Sequence, residues 1–77
     1  MNLTTLYELI ESRKAVLPEG SYTTYLFTEG KDKIVKKFGE EAVEVVLAAS
    51  AQGKERLIEE IADLAYHLMV LMVSEGV

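Results

Sequence analysis

The sequence has 77 residues, 13 acidic against 8 basic for a net charge of −5, no cysteine, and 49% hydrophobic side chains. One small domain is expected for these 77 residues, with no disulfide or zinc-thiolate framework, and the acidic balance argues against a nucleic-acid binder relying on a basic surface. The longest apolar stretch, 64–73, is interrupted by His67 and is too short for a membrane span of roughly 20 residues; residues 1–4 lack the basic and apolar regions of a signal peptide, so a cytoplasmic protein is expected.

Along the chain the pattern is helical throughout, with no strand alternation and no internal repeat. Leu3, Leu6, Tyr7 and Ile10 follow the i, i+3, i+4, i+7 spacing of an amphipathic helix. Thr5 and Glu8 read as its capping box, and Arg13-Lys14 suit the negative end of its dipole. Pro18 and Gly20 mark residues 16–20 as a loop, and Ser21 is placed to cap a short second helix over 22–28 that Gly30 ends.

A third helix is predicted over about 31–50. On a wheel of about 100° per residue, Ile34, Phe38, Ala42, Val45, Val46 and Ala49 fall on one side, and Val43 and Leu47 nearly opposite. A fourth is predicted over about 54–74, apolar except for a stripe of Arg56, Glu60, Asp63 and His67. So thin a stripe suits an internal cleft better than a solvated face. Met69 and Met72 read as core filler.

Gln52-Gly53 marks the turn between these two helices. Glu44 and Glu60 each lie eight residues from Gln52, and Glu41 and Asp63 each eleven. In an antiparallel hairpin, residues equidistant from the turn sit at one height, and members of each pair, three residues apart, share a face. The four acids are therefore expected to converge. Like charges repel unless a cation joins them, and a carboxylate-rich set suits a hard divalent ion such as Mg²⁺ acting on a phosphorylated substrate. The bland alternative is a set of solvated helix acids.

Neighbouring residues carry two readings each. Glu40, further round the third helix, is an outer-shell ligand or water-activating base, or a surface residue. Lys37 contacts phosphate or merely pairs with Glu41 at i+4. His67 hydrogen-bonds a ligand carboxylate or substrate phosphate, or is a satisfied structural residue. Glu59 reads as surface.

Three stretches carry a family resemblance: Pro18-x-x-Ser21-Tyr22-Thr23, then Lys37-Phe38-Gly39-Glu40-Glu41-Ala42-x-Glu44, then Glu60-x-Ala62-Asp63-Leu64-x-Tyr66-His67-Leu68. Over nearly its whole length the chain resembles the phosphoribosyl-ATP pyrophosphohydrolases of histidine biosynthesis, in the MazG-like all-α NTP pyrophosphatase superfamily. The ExxE and ExxD acids are shared across the superfamily; Ser21-Tyr22-Thr23 and Tyr66-His67-Leu68 narrow it to this family. The resemblance implies Mg²⁺-dependent cleavage of phosphoribosyl-ATP to phosphoribosyl-AMP and pyrophosphate. It assigns Glu41, Glu44, Glu60 and Asp63 to the metal, places Glu40, Glu41 and Glu44 in the catalytic set, and makes Ser21, Tyr22, Thr23, Lys37 and His67 substrate-side candidates.

The expected architecture is all-α: one domain over 1–77 whose helical hairpin forms a four-helix core on homodimerisation, since so small a chain has little other means of covering its apolar faces. Family members usually continue through another helical segment after a glycine at the position of Gly76; this sequence stops at Val77, so either that helix is missing from it or this is a minimal form. Two rival functions are a MazG-like house-cleaning nucleoside triphosphate pyrophosphohydrolase and a non-catalytic helical dimerisation module.

Overall fold

The computed structural model describes residues 2–77 as four helices: α1 (Leu3–Val16), α2 (Tyr22–Glu29), α3 (Lys31–Ala51) and α4 (Gly53–Glu75). No strand occurs among the described residues, and no helix there is long and apolar enough to cross a membrane. Met1, part of the N-terminal stretch read above, lies outside them.

Local chemistry sets the helix ends. α1 is capped by Asn2, in extended backbone, whose Oδ1 accepts from the Thr5 N–H at 2.8 Å. This corrects the Thr5–Glu8 capping box. An Asn one residue before the helix satisfies an orphan amide first, which leaves Thr5 inside the first turn. The loop expected over 16–20 starts one residue later. Val16 completes the helix and Leu17, with φ 52°, ends it in the left-handed conformation while its N–H donates to the Arg13 carbonyl. Ser21 caps α2 as expected, accepting from the Thr24 N–H at 3.3 Å.

α3 and α4 form the hairpin. Gln52 alone separates them, and Gly53 sits at φ 85°, where any L side chain would be strained. α3 packs mainly on α4, α1 lies against α4 and α2, and α2 also touches α3. The apolar core gathers Ile10, Leu26, Ile34, Met69, Val70 and Val73, all at the end of the hairpin remote from the turn. Two contacts tie α1 to that end: Tyr7 Oη donates to the Val77 carbonyl at 2.8 Å, and Lys14 Nζ to the Val73 carbonyl at 3.4 Å.

Near the turn the burial changes. The wheel placed Val46 and Ala49 on the packed side of α3, but both are exposed, and Ala48 is the buried residue. The buried residues of α1 and α2 all lie at the other end, so among the described residues α3 is covered here by α4 alone. The stripe it can bury narrows accordingly. Val43, Val46, Leu47, Ile58 and Ile61 are left open to solvent.

Candidate functional site

Midway along the hairpin, α3 and α4 enclose a cleft of about 370 Å³. Five carboxylates line it, from Glu40, Glu41 and Glu44 on α3 and Glu60 and Asp63 on α4, together with the cations of Lys37 and Arg56. One carboxylate oxygen from each of Glu41, Glu60 and Asp63 lies within 4.8 Å of the other two. Oxygens on opposite sides of a Mg²⁺ ion stand about 4.2 Å apart, twice the usual ligand distance. The spacing of the trio is close to that of oxygens sharing one such ion. Its donors are all carboxylate oxygens, the set a hard divalent cation prefers, and the donor chemistry fits Mg²⁺. Glu44 shares the cleft but stands outside this close trio.

Burial is uneven. Glu60 is 3% exposed, whereas Asp63 is open to solvent. A carboxylate so deep needs a partner, and Arg56 supplies one, its Nη2 2.7 Å from Glu60 Oε1. On the facing helix, Lys37 Nζ stands 3.6 Å from Glu40 and 3.7 Å from Glu41. Burial is the largest single influence on this ammonium and disfavours its charge, but Tyr22, Glu40 and Glu41 together outweigh it and raise its pKa above the ordinary lysine value.

A second layer of polar contacts joins α2 to α4. Tyr22 Oη lies 3.1 Å from His67 Nε2, and His67 Nδ1 lies 2.8 Å from the Asp63 carbonyl. A carbonyl only accepts, so in the neutral ring Nδ1 carries the proton and Nε2 accepts from the tyrosine. Thr23 Oγ1 and Tyr66 Oη form the adjoining hydrogen bond. Residues 22 and 23 of one motif are therefore the partners of residues 67 and 66 of another. Burial raises the Tyr22 pKa, with Lys37 acting in the opposite sense and Tyr66, Glu41 and Tyr25 adding to the rise.

A family model for phosphoribosyl-ATP pyrophosphohydrolase matches residues 3–77. The chain belongs to that family. It is 57% identical over 76 residues to the phosphoribosyl-ATP pyrophosphatase of Lactiplantibacillus plantarum, covering 99% of this chain and 72% of that one. With the corresponding enzyme of Limosilactobacillus fermentum, identity is 56% over 97% of this chain and 71% of the relative. It is also 58% identical to the histidine biosynthesis bifunctional protein HisIE of Thermotoga maritima, over 94% of this chain but 36% of that longer protein.

Within this family framework the site residues anticipated from sequence divide by position. Glu40, Glu41, Glu44, Glu60, Asp63 and Lys37 come together in the cleft. Ser21 caps α2, while Thr23 and His67 are buried and bonded within the protein, so these three stand outside the cleft lining. Tyr22 connects the layers, bonded to His67 yet close enough to Lys37 and Glu41 to respond to their charges. Two residues had no role assigned from sequence: Arg56 and Tyr66. The i, i+4 spacing of Arg56 and Glu60 carried the first signal. Tyr66 stood in a quoted motif, but its pairing with Thr23, 43 residues away in the chain, carried no signal.

Proposed function

We propose that the protein hydrolyses phosphoribosyl-ATP to phosphoribosyl-AMP and pyrophosphate in histidine biosynthesis, in the cytoplasm, with Mg²⁺ held by Glu41, Glu44, Glu60 and Asp63. The observation that carries this reading is the approach of Glu41, Glu60 and Asp63 oxygens to within 4.8 Å in a cleft that also holds two cations. Membership of the phosphoribosyl-ATP pyrophosphohydrolase family supplies the substrate. When bound, Mg²⁺ supplies Lewis acidity and offsets the charge of the phosphate oxygens.

The chain's own residues do the rest. Lys37 presents its ammonium to a phosphate oxygen from the α3 side. The Tyr22 hydroxyl, held by His67, borders the substrate, and Ser21 and Thr23 set the position of Tyr22 by capping and anchoring α2. His67 fixes the height of Asp63 through the backbone carbonyl it binds. A water oxygen forms a bond to phosphorus at the α–β anhydride, and the bridging oxygen leaves with the other phosphate. The released proton passes to a carboxylate, for which Glu40, outside the close trio and half exposed, is the candidate.

A homodimer is part of this proposal. Val43, Val46 and Leu47 on α3 and Ile58, Ile61 and Leu68 on α4 are apolar side chains that the described residues leave exposed. Two hairpins meeting there would bury them as a four-helix core.

The deciding experiment incubates the protein with phosphoribosyl-ATP, with and without Mg²⁺, and follows pyrophosphate release and the nucleotide product. Mg²⁺-dependent formation of phosphoribosyl-AMP, with ATP and deoxynucleoside triphosphates turned over far more slowly, is expected. Preference for those triphosphates would assign the same acids to nucleotide house-cleaning, and no turnover at all would leave a dimerisation module.

A further inference from the structure

Arg56 lies one turn before Glu60 on α4 and divides its guanidinium between two carboxylates. Nη2 is 2.7 Å from Glu60 Oε1, and Nη1 is 3.2 Å from Glu59 Oε2. The partners differ sharply in environment: the Glu60 side chain is 4% exposed and that of Arg56 49%. A deeply buried carboxylate requires a counter-charge. The guanidinium loses little by moving, because a half-exposed ion pair is weak and its long side chain is free on the solvent side. Arg56 lines the acidic cleft, where Lys37 is the other cation, and Lys37 is already shared between Glu40 and Glu41.

Glu60 thus has two claimants. One of its oxygens is engaged by Arg56, while the carboxylate also belongs to the trio whose spacing is close to that of oxygens sharing one ion. We infer that Arg56 is an exchangeable counter-ion: it neutralises Glu60 in the metal-free protein, yields that carboxylate to a divalent cation, and turns its guanidinium to phosphate oxygens of a ligand in the cleft. The inference rests on the metal reading proposed above. A guanidinium fork matches phosphate geometry, so the freed side chain has a ready partner once a polyphosphate enters. Metal and phosphate binding are then coupled through one side chain, each favouring the other.

The test uses Mn²⁺ alone as the cation probe, followed by the spin resonance of free Mn²⁺, and pyrophosphate at saturating Mn²⁺ as the anion probe, followed by calorimetry. Arg56→Gln should bind Mn²⁺ about tenfold more tightly than wild type and pyrophosphate about tenfold more weakly, each corresponding to about 1.4 kcal/mol. Arg56→Lys, which keeps the charge and loses the fork, should shift both in the same directions by less. Lys54→Gln, which removes a charge from the same helix outside the cleft, should shift neither. Weaker or unchanged Mn²⁺ binding in Arg56→Gln would overturn the exchange and make Arg56 a fixed support for Glu60. Unchanged pyrophosphate affinity would overturn its second half. Should Arg56→Gln lose its helical circular dichroism, the signs seen in Arg56→Lys decide instead. Wild-type protein that binds no Mn²⁺ overturns both this inference and the metal reading, which separates that failure from a failure of Arg56 alone.

Discussion

The two ends of the α3–α4 hairpin are built from similar apolar residues and have opposite surroundings. At the end remote from the turn, α1 and α2 close over the hairpin, and Val70 and Leu26 are fully buried. At the turn end no other described element covers the helices, and Ile58 and Val46 are 67% and 64% exposed. The acidic cleft lies between them. One end is a finished core; the other leaves large apolar side chains open to solvent. Hydrophobic composition alone does not distinguish them, because burial is decided by which other elements reach a helix face.

The largest expected effect falls on the closed end. Leu26→Ala should cost about 2–5 kcal/mol of unfolding free energy, since it removes a buried side chain and leaves a cavity. Denaturant titration at several protein concentrations should show that loss at all of them. A cost below about 1 kcal/mol would mean that this end is less tightly packed than its burial indicates.

The cleft comes next. Mg²⁺ should raise the melting temperature, because an ion that binds only the folded protein stabilises it by about 2.7 kcal/mol at a hundredfold excess over its dissociation constant. The gain should shrink as pH falls, since protons compete for the same carboxylate oxygens. Glu41→Gln/Glu60→Gln should nearly abolish it, while the surface control Glu8→Gln/Glu11→Gln should retain it. Equal shifts in all three proteins at matched ionic strength would reduce the effect to charge screening. Glu44→Gln and Asp63→Asn should each eliminate Mg²⁺-dependent turnover while leaving the fold intact or more stable, because removing one of several crowded charges relieves repulsion. Near-normal turnover in either would remove that residue from the metal set.

At the turn end, Ile58→Asp should leave helical content unchanged and weaken association by about 2 kcal/mol or more, the size of an interface hot spot. Sedimentation velocity should show a dimer for wild type and a concentration-dependent shift toward monomer for the variant. A stable, well-folded wild-type monomer at micromolar concentration would contradict the proposed use of this surface. The smallest effect belongs to the polar layer between α2 and α4. Thr23→Val and Tyr66→Phe should each cost about 1 kcal/mol, and the double variant less than their sum. Strict additivity would show that the two hydroxyls do not act as a pair.

Much of the site was legible because it is helical and symmetric about a turn. Glu41, Glu44, Glu60 and Asp63 reach one cleft from their distances to Gln52, a relation that needs only the helical rise and an antiparallel return. The same reasoning could not rank them. Equal heights suggest four equivalent ligands, whereas side-chain reach draws Glu41, Glu60 and Asp63 together and leaves Glu44 on the wall. His67 shows a different limit. Its place in the stripe was visible, but the engagement of both ring nitrogens by Tyr22 and the Asp63 carbonyl depends on where α2 lies. The Asn2 cap was missed for a local reason: two capping patterns overlap at the start of α1, and the residue in extended backbone prevails.

By itself the sequence determined four helices, a hairpin at Gln52-Gly53 and a paired set of acids, because these follow from local propensity, capping chemistry and the 3.6-residue period. Tertiary structure alone decided which apolar residues are buried, that Glu60 lies deep while Asp63 stays open, and that Thr23 meets Tyr66. Those outcomes depend on how the four helices dock against one another, and docking brings together residues whose separation along the chain carries no periodic signal.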